Sequence, residues 1–116
     1  MNFVFVFVGG GLGSLIRYLI GLGFQKTNTS LPWSTFIANL TACLIFSLVL
    51  WLMQSKDLVN SNLKLLLLTG FCGGLSTFSS FGYETFLLFK QDMAFIAIMN
   101  ILFNTSLCLL IFYIFK

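Results

Sequence analysis

The chain has 116 residues, of which 59% are hydrophobic and only 8% are charged, with a net charge of +3. A soluble domain usually carries about 25% charged residues, and soluble monomers rarely expose a large contiguous apolar surface. These values exclude a water-soluble monomer and predict a single-domain integral membrane protein over residues 1–116. The sequence contains no histidine, which is the usual general base and metal ligand. We therefore expect no enzyme activity.

Four apolar segments follow one another along the chain, joined by short polar stretches. They run over about residues 3–23, 33–54, 63–89 and 94–115. Each meets the roughly 20-residue length that a helix needs to cross the bilayer. The fold is predicted to be all-α, with four transmembrane helices.

The first segment carries a run of glycines that ends at Gly13, followed by Arg17. A cleaved signal peptide is an alternative, but no Lys or Arg precedes the apolar run and Arg17 lies inside it. Small residues of this kind favour close helix packing in membranes. An ionisable residue within a span faces protein, water or a ligand, so Arg17 is predicted to reach the interface or to attract an anion.

The second and fourth segments contain amide side chains. Asn39 lies in the second segment, while Asn100, Asn104 and Cys108 repeat every four residues in the fourth. That spacing places the last three on one face of a helix. Two interpretations stay open: the amides hold helices together, or they face a water-filled path.

The third segment combines glycines with hydroxyl residues between Gly70 and Gly82. A pair of glycines followed by Ser-Thr and Ser-Ser fits a continuous helix poorly. We predict a helix that is broken near the middle of the membrane, where freed backbone groups can bind ions. A helix that is only kinked is the alternative.

Phe78 and Phe81 are three residues apart in this segment and share a face if the chain is helical there. Because an aromatic ring has a positive edge, two such edges can contact a small anion. The alternative is that both rings face lipid or the protein core.

The basic residues divide evenly between the two sides of a four-span topology. One side carries Lys56, Lys64 and Lys116, and the other carries Arg17, Lys26 and Lys90. The positive-inside rule therefore gives no orientation. Either six charges are too few to decide, or the chain inserts both ways up and can form an antiparallel dimer.

These residues match a known family. The chain resembles the Fluc (also called CrcB) fluoride channels, small four-span proteins of bacteria and some eukaryotes. The resemblance covers nearly the whole chain and rests on the first-span glycines before Arg17, on Thr35 with Asn39, and above all on residues 73–81. The last segment reads Gly73-Gly74-Leu75-Ser76-Thr77-Phe78-Ser79-Ser80-Phe81.

The resemblance implies passive export of fluoride from the cytoplasm across the bacterial inner membrane by a dual-topology, antiparallel homodimer with two pores. It implies that the ring edges of Phe78 and Phe81 line the fluoride path and that Asn39 lines it from the second helix. It also implies that Arg17 lies near the aqueous entrance, where it raises the local anion concentration.

The same resemblance assigns the remaining polar residues. Thr77, Asn104 and Cys108 are expected to add to the lining of the fluoride path. The backbone carbonyls of Gly73 and Ser76, from both subunits, are expected to hold a central structural sodium ion.

Some positions depart from the family's pattern. Ser34 and Ala42 stand where glycines are common, and Asn100 stands where a tyrosine is often found. Asn104 and Cys108 occupy positions that often carry serine. These departures concern the polar track and leave the third-span signature intact.

A small multidrug-resistance exporter is the main alternative from another class. Such a proton-coupled exporter has a similar length and topology, but it needs a carboxylate in the first span. Here that span contains Arg17 and no acid, and Glu84 lies late in the third. A non-transporting assembly subunit would explain the packing glycines but not the hydroxyl-rich third span.

Overall fold

The computed structural model describes residues 2–27, 31–56 and 60–116 of the chain. These residues form helices, turns and loops, with α1 at Asn2–Phe24, α2 at Trp33–Lys56 and α6 at Ala94–Ile114. The third span is composite: α3 at Ser61–Lys64, a π-helical segment at Leu65–Cys72, α4 at Gly73–Leu75 and α5 at Phe78–Lys90. Residues 28–30 and 57–59, in the polar stretches before and after the second predicted span, lie outside the described residues.

Four helical stretches are long and apolar enough to cross a membrane. They are Asn2–Phe24, Trp33–Gln54, Ser61–Lys90 and Ala94–Ile114. This finding confirms the predicted all-α membrane fold with four spans, and it shifts the predicted ends by at most two residues. Each stretch is long because its apolar run is uninterrupted by proline, which would remove a helical donor.

Two residues in the third span leave the helical conformation. Ser76 has φ −77° and ψ 153°, and Thr77 has φ −148° and ψ 125°. Gly73 itself is helical, with φ −63° and ψ −36°. The helix-weakening glycines of the sequence therefore lie before the extended residues, and no described glycine has a positive φ.

Helix α1 packs closely on the first half of the third span. A Cβ atom at Gly9 would overlap the carbonyl oxygen of Leu66, and one at Gly13 would overlap that of Phe71. A Cβ at Gly11 would meet no atom within 4 Å. The prediction of close packing is thus confirmed for Gly9 and Gly13, whose missing side chains let two backbones touch.

Helix α2 lies against both α4 and α6. Its Ala38 and Ala42 form a buried cluster with Cys72 and Leu75. Helix α6 turns back beside α5 after a loop in which Asp92 has φ 60°, a conformation that Asp tolerates better than most residues. This arrangement brings α2, the extended residues and α6 together.

Candidate functional site

The backbone of Thr77 is held by the side chain of Asn39. The Thr77 N–H donates to Asn39 Oδ1 at 2.8 Å, and Asn39 Nδ2 lies 3.4 Å from the Thr77 carbonyl oxygen. In a continuous α-helix the Thr77 N–H would donate to the carbonyl of Gly73. Asn39 therefore replaces the helical partner and releases the Gly73 carbonyl from that bond.

The side chain of Thr77 starts the next helix. Its Oγ1 accepts a hydrogen bond from the Ser80 N–H at 3.1 Å, as an N-cap residue does. In a continuous helix this N–H would donate to the Ser76 carbonyl. The Ser76 carbonyl is thus also released from its helical bond, three residues after the Gly73 carbonyl. The hydrogen bonds that the Asn39 and Thr77 side chains accept explain why the extended residues follow the glycines instead of coinciding with them.

The two released carbonyls belong to Gly73 and Ser76, the residues that the family resemblance assigned to sodium. Both residues line a shallow groove of about 140 Å³ on the surface of the chain. A Cβ at Gly73 would meet nothing within 4 Å, so this position is open. The Ser76 hydroxyl donates to the Cys72 carbonyl at 2.8 Å. The Ser76 backbone carbonyl, by contrast, has lost its helical donor to the Thr77 side chain.

One cleft, which we call the phenylalanine cleft, brings together the six residues that the resemblance placed along the fluoride path. It has a volume of about 260 Å³. The predicted residues that line it are Asn39, Thr77, Phe78, Phe81, Asn104 and Cys108. Its other lining residues are also uncharged, so an anion in this cleft would meet no carboxylate.

The two phenylalanine rings lie side by side in this cleft. Their centroids are 5.8 Å apart and their planes are tilted by 40°. Phe78 is 85% exposed in the single chain, whereas Phe81 is half-buried. The cleft therefore opens to the outside of the chain at Phe78.

The polar stripe of α6 faces Asn39. Asn39 Nδ2 lies 3.4 Å from Asn104 Oδ1, and the Cys108 thiol lies 4.0 Å from the Asn39 carbonyl oxygen. Asn104 Nδ2 in turn donates to the carbonyl and the Oδ1 of Asn100, both at 2.9 Å. The amides thus link two helices, and Asn39 and Asn104 also line the cleft.

Arg17 lies in a different cleft of about 350 Å³, together with Thr35, Thr77 and Glu84. Thr77 lines this cleft and the phenylalanine cleft. The Thr35 hydroxyl donates to Glu84 Oε1 at 2.7 Å, and Glu84 Oε2 is buried with no partner among the described residues. Of the six predicted path residues, only Thr77 lines the cleft of Arg17 as well as the phenylalanine cleft.

Two polar residues of this region received no role from the sequence, Glu84 and Thr85, whereas Asn100 was predicted only as part of the polar stripe of the fourth segment. Thr85 is buried and accepts a hydrogen bond from Asn100 Nδ2 at 3.0 Å. Thr85 and Asn100 are 15 residues apart and on different helices, so no spacing rule joins them. For Glu84 and Thr85 the only signal was that each is a polar residue within an apolar span.

Comparisons with known proteins place this geometry in context. A family model described as "CrcB-like protein, Camphor Resistance (CrcB)" matches residues 4–114. The chain is 36% identical over 107 residues to the fluoride-specific ion channel FluC of Flavobacterium psychrophilum, covering 91% of this chain and 86% of that protein. It is 46% identical over 90 residues to FluC of Desulfotalea psychrophila, covering 78% and 70%. It is 36% identical over 107 residues to FluC of Methanococcus aeolicus, covering 92% and 85%.

Proposed function

Because this chain belongs to the CrcB family, we propose that it is a passive, fluoride-selective ion channel that exports fluoride from the cytoplasm. The observation that carries the proposal is the uncharged cleft that gathers Asn39, Thr77 and the two phenylalanine rings. The protein that contains this cleft aligns with proteins named as fluoride-specific channels over most of their length. We place the protein in the inner membrane of a bacterium, as a multi-pass protein.

The lining of the cleft suits a small anion that must pass without being trapped. Amide N–H groups donate hydrogen bonds, and aromatic edges carry partial positive charge. Conduction requires binding that is favourable enough for entry and weak enough for release. A cleft with a neutral amide, aromatic edges and no fixed cation meets both conditions better than a charged pocket.

Arg17 has a different role in this proposal. It lies in the neighbouring cleft, beyond Thr77. A positive charge at the mouth of a low-dielectric path raises the local concentration of anions. Arg17 is thus proposed to attract fluoride, and the neutral cleft to select and pass it.

We further propose that the extended residues lie near the middle of the membrane and that two antiparallel copies cover them. Ser76 and Thr77 divide the 30-residue span Ser61–Lys90 into nearly equal halves. Irregular backbone at membrane depth is tolerated only inside protein or along a water-filled cavity. The cleft of a single chain is open at Phe78, so a second copy is the proposed cover. Twofold symmetry then gives two pores.

A structural sodium ion at the centre of that dimer is part of the proposal. Hard cations prefer oxygen ligands, and the carbonyls of Gly73 and Ser76 have each lost a helical donor to a side chain. Gly73 is open to an approaching partner. These residues fit the ion, which would supply a fixed positive charge where the two copies meet.

The function is tested by flux from liposomes. Vesicles loaded with fluoride and containing the purified protein should empty when a potassium ionophore supplies the counter-ion path. Vesicles loaded with chloride should retain it. Equal rates for both anions, or an absolute need for a proton gradient, would contradict the proposal and favour a coupled exporter.

The phenylalanine rings give a separate prediction. Replacing Phe81 or Phe78 by isoleucine keeps most of the bulk but removes the polarised ring edge. We expect each change to lower the initial rate of fluoride efflux about fivefold, since an aromatic contact is worth about 1 kcal/mol. Phe86→Ile, at another exposed position of α5, is the matched control. Full flux in both variants would remove the rings from the path.

Dual topology is tested by labelling. A cysteine introduced at Lys26 should react with a membrane-impermeant maleimide in about half of the molecules of intact cells, because equal numbers insert each way. Permeabilised cells should show complete labelling. The parent chain, with its own three cysteines, measures the background. Labelling of all or none in intact cells would refute dual topology.

The sodium site is tested through the Ser76 side chain. Since its proposed ligand is a backbone carbonyl, Ser76→Ala should keep the sodium dependence of the dimer. Gel filtration in sodium buffer and in N-methylglucamine buffer measures this dependence. We expect the dimer to be less stable without sodium in both the parent protein and the variant. A parent dimer that is equally stable in the two buffers would count against the ion.

A further inference from the structure

A partly buried hydrogen-bond network lies beside the phenylalanine cleft and includes residues of α5 and α6. Thr85, which is 6% exposed, donates its hydroxyl proton to the Phe81 carbonyl at 2.7 Å. Asn100 Nδ2 donates to Thr85 Oγ1 at 3.0 Å. Neither Thr85 nor Asn100 lines the phenylalanine cleft, so neither can contact an anion there.

The network continues from Asn100 to the extended residues. Asn100 Oδ1 accepts from Asn104 Nδ2 at 2.9 Å, and Asn104 Oδ1 accepts from Asn39 Nδ2 at 3.4 Å. Asn39 Oδ1 accepts from the Thr77 N–H at 2.8 Å. The resulting chain runs from the backbone N–H of Thr77 to the backbone carbonyl of Phe81.

The two ends fix the direction of every bond in this chain. A backbone N–H can only donate, and a backbone carbonyl can only accept. The Thr85 hydroxyl has one proton, which the Phe81 carbonyl takes, so Asn100 must present its Nδ2 to Thr85. Its Oδ1 then faces Asn104, whose Oδ1 consequently faces Asn39. The amide of Asn39 is therefore held with its nitrogen toward α6 and the cleft.

The bonds of Asn39 Nδ2 are the weakest of the network. Both measure 3.4 Å, whereas the other links are 3.0 Å or shorter. Hydrogen bonds weaken with distance beyond about 3 Å. This nitrogen is therefore the least committed donor of the network, and its residue lines the cleft.

We infer that Thr85 and Asn100 are positioning residues that orient the Asn39 amide toward the fluoride path through this chain of hydrogen bonds. The inference rests on the proposed fluoride conduction. It assigns a purpose to two residues that never meet the ion, and it gives Asn100 a role of its own at a position where a tyrosine is common in the family.

The test uses two substitutions of Thr85 in the full-length protein in liposomes. Thr85→Val removes the hydroxyl and keeps the side-chain shape. Asn100 then loses its acceptor, and the series of hydrogen bonds loses its link to the Phe81 carbonyl. The initial rate of fluoride efflux should fall about tenfold, the effect of losing one to two hydrogen bonds of about 1 kcal/mol each. Thr85→Ser restores the hydroxyl and should stay within about twofold of the parent rate, well short of the loss that a missing hydrogen bond causes.

A second comparison separates positioning from general damage. Asn104→Leu breaks the series of hydrogen bonds between Thr85 and Asn39. Adding Thr85→Val to this variant should therefore change the remaining fluoride efflux less than about twofold. Thr69→Val, at an exposed threonine of the same span, should have no effect. All variants should elute from gel filtration as the parent does.

The outcomes distinguish the inference from the function on which it rests. A parent protein that passes no fluoride contradicts the proposed function. A conducting parent with an equally fast Thr85→Val variant, or a Thr85→Ser variant as slow as Thr85→Val, overturns the inference alone. A further tenfold loss of fluoride efflux on adding Thr85→Val to Asn104→Leu would also overturn it, because Thr85 would then act independently of these hydrogen bonds.

Discussion

Gly13→Ala should prevent most of the protein from accumulating in its folded form. The added Cβ would overlap the Phe71 carbonyl oxygen and lie 2.8 Å from the Leu75 nitrogen. Both atoms belong to backbone, so no side chain can rotate away, and α1 must separate from the third span. Overpacking of this kind costs about 1–3 kcal/mol or more. We expect a loss at the upper end, measured as the free energy of unfolding in detergent and as the yield of dimer on gel filtration.

The matched control is Gly11→Ala, two residues earlier on the same helix. A Cβ there meets nothing within 4 Å, and alanine favours a helix over glycine by about 1 kcal/mol. This variant should be as stable as the parent or slightly more stable. Equal stability of the two variants would contradict the close packing of α1 against Phe71 and Leu75.

The second large effect is expected from Asn39→Asp. The carboxylate still accepts from the Thr77 N–H, so the extended residues keep their support. However, it cannot donate to Asn104 Oδ1, and it places a negative charge beside the proposed path. Two like charges about 4 Å apart repel by roughly 4 kcal/mol at an effective dielectric of 20. The initial rate of fluoride efflux should fall more than about a hundredfold, with dimer yield retained.

Asn62→Asp serves as the control for Asn39→Asp. Asn62 is exposed near the start of the third span and lines neither of the two described clefts. The same chemical change should leave fluoride efflux unaltered there. If the Asn39→Asp variant conducted at the parent rate, Asn39 would not lie on the path.

The spans were predictable because they depend on a property of consecutive residues. An apolar run of sufficient length has one solution in lipid, a helix whose backbone groups bond to one another. The glycine contacts of α1 were predictable in kind but not by position. Gly9 and Gly13 touch the third span while Gly11 does not, and that choice depends on the rotation of one helix against another.

The location of the extended residues could not be read from local propensity. Glycine weakens a helix, yet Gly73 and Gly74 are helical in this fold. The conformation of Ser76 and Thr77 accompanies two hydrogen bonds. The Thr77 N–H donates to the side chain of Asn39, 38 residues earlier, and the Ser80 N–H donates to the Thr77 side chain. Contacts between different helices decide the outcome, and the same is true of the bond between Asn100 and Thr85.

The contact between α1 and the third span also constrains the order in which the protein can assemble. Gly13 and Leu75 are separated by ~60 residues, which a ribosome adding roughly 5–20 residues per second needs ~3–12 s to make. Throughout that interval the first helix resides in the bilayer without its partner, its glycine backbone facing lipid or the second helix. The close contact of α1 with the third span can therefore form only after more than half of the polypeptide has been synthesised.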